Sequence, residues 1–127
     1  MYKKTAYMSE VEENRQILEE AFPSKRIFKL SRSVTIADKT YTELDIDFDS
    51  LSNKDKNDLR RIQGCGTQIV EGFEIPNTLY LQHIISRAAN ISFREFEALS
   101  MGDGESLVSW ARGFFLKKAA IGVIQET

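Results

Sequence analysis

The sequence predicts an α+β domain: an N-terminal helix and a β-hairpin followed by a small bundle of amphipathic helices. Three observations carry that prediction. From Arg26 to Phe48 apolar and polar residues alternate, the period of a half-buried strand. From Asn77 to Leu116 apolar residues recur at spacings of three and four, the period of one helix face. Between them, Gly64, Gly66 and Gly72 punctuate a segment ending at Pro76, read as a flexible connector or long loop. At 127 residues the chain holds one core and lacks room for a second sizeable one. The expectation is a single domain over 1–127, with a hairpin half at about 26–63, a connector at about 64–76 and a helical half at about 77–118.

The first predicted helix covers 9–22. Ser9 precedes Val11, Ile17, Leu18 and Phe22, and Glu10, Glu12 and Glu13 place negative charge at the positive end of the helix dipole. Its apolar face is thin, so it either lies on the domain surface, the plainer reading, or folds only against a partner, and Pro23 ends it. In the hairpin, Phe28, Leu30, Val34 and Ile36 form one apolar row and Leu44, Ile46 and Phe48 the other, joined through a polar Ala37-Asp38-Lys39 corner. That corner lacks an Asn-Gly or Asp-Gly pair. One strand is basic and the other acidic on the outward face, which favours antiparallel pairing. Because an isolated hairpin is barely stable, its apolar row must pack on the helices or gain strands from another copy. Ser52 with Asp55 has the spacing of a capping box for a helix over 53–63, whose apolar residues are Leu59 and Ile62.

Three short helices are expected in the second half. Leu81, Ile84, Ile85 and Ala88 line one face of the first, with Gln82, Ser86 and Arg87 on the other side and Asn90 at its end. Ser92 and Glu95 form a second capping box, opening a helix that buries Phe93, Phe96 and Leu99. Met101-Gly102-Asp103-Gly104 reads as the break after it, with Asp103 capping the last helix. There Leu107, Trp110, Ala111 and Phe114 form a stripe that Val108 and Phe115 widen. That breadth exceeds what one buried stripe needs, so either the helix is central in the core, the plainer reading, or its extra apolar edge meets another protein; Leu107, Trp110, Phe114 and Phe115 are the candidate partner-binding residues.

Charge and composition exclude several classes. Seventeen basic and nineteen acidic residues leave a net charge of −2, which argues against broad capture of nucleic acid or an anionic membrane. A single cysteine excludes an internal disulfide, and no apolar run reaches transmembrane length, so a reducing cytoplasm is the expected setting. Asp45, Asp47, Asp49, Asp55 and Asp58 invite a calcium reading. Counted from Asp47, however, the loop has Ser52 where an EF-hand needs glycine, and an acidic strand edge explains these residues better. His83 stands alone without a ligand set, and Cys65 has neither a local base nor a second cysteine at redox spacing. Lys54, Lys56, Arg60, Arg61, Lys117 and Lys118 could meet phosphate, but Asp55 and Asp58 are interleaved, so solvated helix faces are the better account. No phosphate loop, nucleophile elbow or dinucleotide fingerprint is present, and no convergent acid, base and nucleophile suggest an enzyme. No metal or cofactor is expected.

A family pattern also runs through these elements. It comprises Tyr80, Leu81, Ile84, Arg87 and Ala88 in one helix, Leu99 and Asp103 after it, and Leu107, Phe114 and Leu116 at the close. Upstream it includes Lys29-Leu30-Ser31-Arg32-Ser33-Val34, then Tyr41-x-Glu43-Leu44-x-Ile46-x-Phe48, then Leu51. Over residues 26 to 116 in outline, the chain resembles the tail assembly chaperones of Mu-like and other long-tailed phages. The motifs are hydrophobic patterns, not catalytic signatures. The resemblance implies a non-enzymatic factor that binds the tail tape measure protein, helps recruit tail tube subunits, works in the host bacterial cytoplasm and is absent from the mature virion. It implies masking of apolar helices in an amphipathic groove, with the hairpin serving self-association or tube-protein contact. The helix at 9–22 and the glycine-containing connector are not part of that pattern. The alternative is a small helical regulatory or nucleic-acid-binding module, a helix-turn-helix around Ser92 and Asp103. Ser106 to Leu116 offers that module only Arg112 as a basic residue.

Overall fold

A computed structural model describes residues 21–126 together with Glu13, Gln16, Ile17 and Glu20. The predicted helix at 9–22 lies largely outside the described residues; Glu13, Gln16, Ile17, Glu20 and Ala21 are helical and exposed. Two antiparallel two-stranded sheets and four α-helices make up the rest, a mixed α+β fold.

The first sheet is the expected hairpin, β1 (Lys25–Ile36) with β2 (Lys39–Asp47). Its corner is a two-residue turn in which Ala37 and Asp38 both have positive φ, 48° and 68°. Those angles give the hairpin-compatible primed turn even without glycine. The register sets Lys25 opposite Asp47 and Lys29 opposite Glu43, so the basic and acidic rows face each other across the strands. Between Lys29 and Val34 the register slips, and four β1 residues bulge out opposite Thr42 alone. Phe28, Val34, Leu44 and Ile46 are buried in the same cluster as the helices, so the hairpin covers its apolar row within one chain.

A 3-10 turn over Phe48–Ser50 follows, with the Asp47 carboxylate accepting the Asp49 N–H at 3.0 Å. Helix α1 (Asn53–Arg60) starts with both arms of the Ser52–Asp55 capping box in place. The expected connector is instead a second hairpin, β3 (Thr67–Val70) with β4 (Phe73–Pro76). Glu71 and Gly72 both have positive φ, 52° and 84°, forming another primed two-residue turn. Asn77 closes its base: its N–H donates to the Gly66 carbonyl at 2.9 Å and its Nδ2 to the Gly64 carbonyl at 3.0 Å. The same side chain caps α2 (Thr78–Ala88) by accepting the Tyr80 N–H.

In α2 the stripe of Leu81, Ile84, Ile85 and Ala88 is buried as expected. Ser86, expected on the outer side, is buried too, and its hydroxyl donates to the Gln82 carbonyl one turn back. Asn90 ends this helix at φ 56°, which lets Ile91 N–H close back onto the Ser86 carbonyl. Helix α3 (Phe93–Glu97) has its complete Ser92–Glu95 capping box and buries Phe96, with Leu99 beyond its end.

The last helix corrects two expectations. Helix α4 runs from Met101 to Glu126, so Met101-Gly102-Asp103-Gly104 forms its first turn and not a break, and it extends past the expected end near 118. Ser100 is the cap, its Oγ accepting the Asp103 N–H at 3.1 Å. Asp103 is buried, and its Oδ2 accepts both the N–H and the hydroxyl of Ser31, each at 3.0 Å. The β1 bulge frees that N–H from the strand ladder, and the buried carboxylate satisfies it. At Gly113 the Phe22 ring occupies the space where a Cβ would stand.

Candidate partner-binding cleft

The four residues expected to meet a partner do not form one open surface. Leu107 is fully buried, and Trp110 and Phe114 are 5% and 3% exposed. The Trp110 indole N–H donates to the Pro23 carbonyl at 2.9 Å, while its ring packs on Phe48 at 4.7 Å between centroids. Arg26 lies over the same indole at 5.8 Å. Lys117 is buried beside them, its Nζ donating to the Phe22 carbonyl at 2.8 Å. Helix α4 therefore spends Trp110, Gly113 and Lys117 on holding the incoming chain at Phe22 and Pro23. Phe115 alone of the four is half-buried.

The next turn of α4 borders an open space. Phe114, Phe115 and Lys118 face a cleft of about 810 Å³, open to solvent along one side. Helix α1, the 3-10 turn, the β3–β4 hairpin and α2 contribute the rest of its lining. Its floor is apolar, made by the buried Phe48, Leu59, Ile75, Ile84 and Phe114. Phe48 is the pivot: its ring touches Trp110 in the core and Phe114, at 4.8 Å, on the cleft side. Tyr80 also lines the space, and burial raises its phenol above the usual range.

The rim is charged, and the partners of each charge differ. Asp49 lies 3.9 Å from Lys118, an exposed pair at one end of the cleft. Glu74 on β4 accepts the Thr67 hydroxyl at 2.8 Å. Asp55 and Asp58 point away from the cleft to Arg87 of α2, at 2.8 Å and 3.6 Å. The Ser52 backbone N–H and then Arg87 hold the Asp55 carboxyl below the usual carboxylate range. Lys56 and Arg60, from the same helix, line the cleft.

No family model, curated protein or solved structure matches the chain.

The remaining candidate groups sit in structural roles. His83 stacks on Phe93 at 3.9 Å between centroids with the rings nearly parallel, and burial lowers its pKa. Burial raises the Cys65 thiol, away from the thiolate form. The Tyr41 hydroxyl, followed by the Ser92 N–H, lowers the Glu95 carboxyl, and Glu95 in turn raises Tyr41. Asp47 and Asp55, two of the acids that invited a calcium reading, accept backbone N–H groups. Among the described residues no group of three or more His, Cys, Asp or Glu is arranged to hold a metal ion. None of the described helices is long and apolar enough to cross a membrane. By sequence Lys56 and Arg60 read as solvated bases or phosphate contacts, and Phe48 and Ile75 are not singled out as a site. Ile75 joins the others through the second hairpin, for which Gly72 between two short apolar pairs was the available signal in the sequence.

Proposed function

We propose that this chain is a non-enzymatic phage tail assembly chaperone, acting in the host bacterial cytoplasm and absent from the finished virion. It binds apolar helices of the tape measure protein and helps bring tail tube subunits to them. The pattern over 26–116 supplies the family resemblance, and the open cleft with its apolar floor is the observation that carries the mechanism. An amphipathic helix laid in that groove removes its own apolar face from water while the chaperone core stays intact. Phe114 supplies floor and Phe115 rim, whereas Leu107 and Trp110 support them from inside. Binding of this kind is reversible because the cleft offers one shallow apolar patch and no covalent or metal anchor is required.

The test is affinity purification of the tagged chain from its native genetic background, with mass spectrometry of the proteins retained. The expected result is a long helical tape measure protein or a tail tube subunit. Recovery of the chain alone, or with nucleic acid, overturns the proposal. Phe115→Ala should weaken the retained partner while leaving the circular dichroism spectrum unchanged.

A further inference from the structure

We infer that the cleft selects a helix whose apolar face is bordered by acidic residues on the side that meets α1. This rests on reading the cleft as the partner site, and it specifies the chemistry of the occupant. The argument comes from how α1 divides its charges. Its two lining-independent acids, Asp55 and Asp58, are drawn to Arg87 on the far side of the helix. Its bases Lys56 and Arg60, four residues and so one helical turn apart, are exposed and line the cleft.

The acids of the lining are Glu74 on β4, which accepts the Thr67 hydroxyl, and Asp49, which is already beside Lys118. The charge that α1 itself lends to the lining is thus basic. Acidic residues on an incoming helix, spaced one turn apart, meet Lys56 and Arg60 if they face α1 and meet Glu74 if they face β4. The same polarity orients the occupant as well as selecting it. On the floor, Phe48, Ile75 and Phe114 present rings and methyl groups where a nucleic acid would need further cations for its phosphates. An apolar helix face meets this floor better than a phosphate backbone does.

The experiment uses the full chain and two fluorescein-labelled helical peptides with the same leucine stripe. One carries Glu at two positions a turn apart beside the stripe, and the other carries Lys there. Fluorescence anisotropy at low salt should give the Glu peptide the tighter binding by about ten-fold, an advantage that shrinks as salt rises. The charge-reversed variant Lys56→Glu/Arg60→Glu should invert the order, a result that only a folded variant can produce. Lys56→Ala/Arg60→Ala should abolish the preference while retaining binding to both peptides. Equal affinity of the wild-type chain for the two peptides, preference for the Lys peptide, or no binding of either overturns the inference. So does tighter binding of poly-dT than of the Glu peptide. None of these outcomes touches the co-purification test, so a wrong rim chemistry and a wrong function are told apart.

Discussion

Replacing Trp110 and Phe115 by alanine should separate the part of α4 that holds the fold from the part that meets solvent. The Trp110 ring is 5% exposed, packs on Phe48 at 4.7 Å and donates to the Pro23 carbonyl at 2.9 Å. Truncation removes the buried ring and leaves a cavity, a loss of about 3–5 kcal/mol for a residue of this size. It also takes the donor from Pro23, adding about 1 kcal/mol if water cannot replace it. Against a total stability of roughly 5–15 kcal/mol for a domain, this is a severe change. Phe115 is half-buried, and its loss should cost about 1–2 kcal/mol, the scale of partial apolar burial. Urea unfolding followed by far-UV circular dichroism reads both variants; tryptophan fluorescence cannot, because Trp110 is the sole tryptophan. Trp110→Phe keeps most of the ring and should recover most of the lost stability, leaving the hydrogen bond as the difference. A midpoint for Trp110→Ala equal to that of the wild type would refute the placement of this ring in the core.

Three further outcomes follow from individual contacts. Asp103→Ala leaves the Ser31 N–H and hydroxyl without their acceptor and should cost about 2–4 kcal/mol, with faster amide exchange at Ser31 as the local readout. Ala37→Asn with Asp38→Gly suits the positive φ angles at the first hairpin turn and should raise stability by about 1 kcal/mol in the same urea titration. Stability should fall on acidification in two stages. His83 is lowered by burial, so its contribution is complete above its unfolded pKa of about 6.5 and is lost as pH falls below that. Asp55 and Glu95 are lowered by their hydrogen bonds, so theirs persists further and is lost below about pH 4. Urea midpoints across pH should show both stages, and His83→Gln should remove the first.

The elements legible in the sequence were those whose signals are local. Ser52 with Asp55 and Ser92 with Glu95 each satisfy backbone donors three residues apart, and both capping boxes are present. The alternation through Phe28, Val34, Leu44 and Ile46 likewise gave the buried face of the first hairpin. The second hairpin was hidden because its strands are four residues each and mix exposed Ile69 with buried Ile75. Four residues are too few for a period to stand out. At Asp103 the local and distant readings competed. An Asp before an apolar stripe suggests a cap, but here Ser100 takes that role and Asp103 answers a strand bulge that lies 72 residues away. Among the candidate site residues, helical spacing correctly grouped Leu107, Trp110 and Phe114 on one side of α4 but could not tell which neighbour covers that side. Pro23, Phe48, α2 and β4 do so, and they are remote in sequence.

Core and cleft share a wall, and under the proposed reading that sharing ties occupancy of the cleft to folding. Phe48 packs against Trp110 on the inner side and Phe114 on the other, and both Phe48 and Phe114 form the cleft floor. An occupant that covers these rings binds the folded chain and not the unfolded one, so it must raise the unfolding free energy by mass action. At a free concentration one hundred times its Kd the rise is about 2.7 kcal/mol. The same linkage gives Phe115 and Trp110 different signatures. Loss of Phe115 at the rim weakens the occupant while most of the intrinsic stability remains, so the ligand-dependent rise shrinks. Loss of Trp110 behind Phe48 lowers the intrinsic stability itself, yet a saturating occupant should restore part of it by stabilising the floor from the open side. If neither variant alters the rise, the partner covers a different face of the molecule, and α4 serves the fold alone.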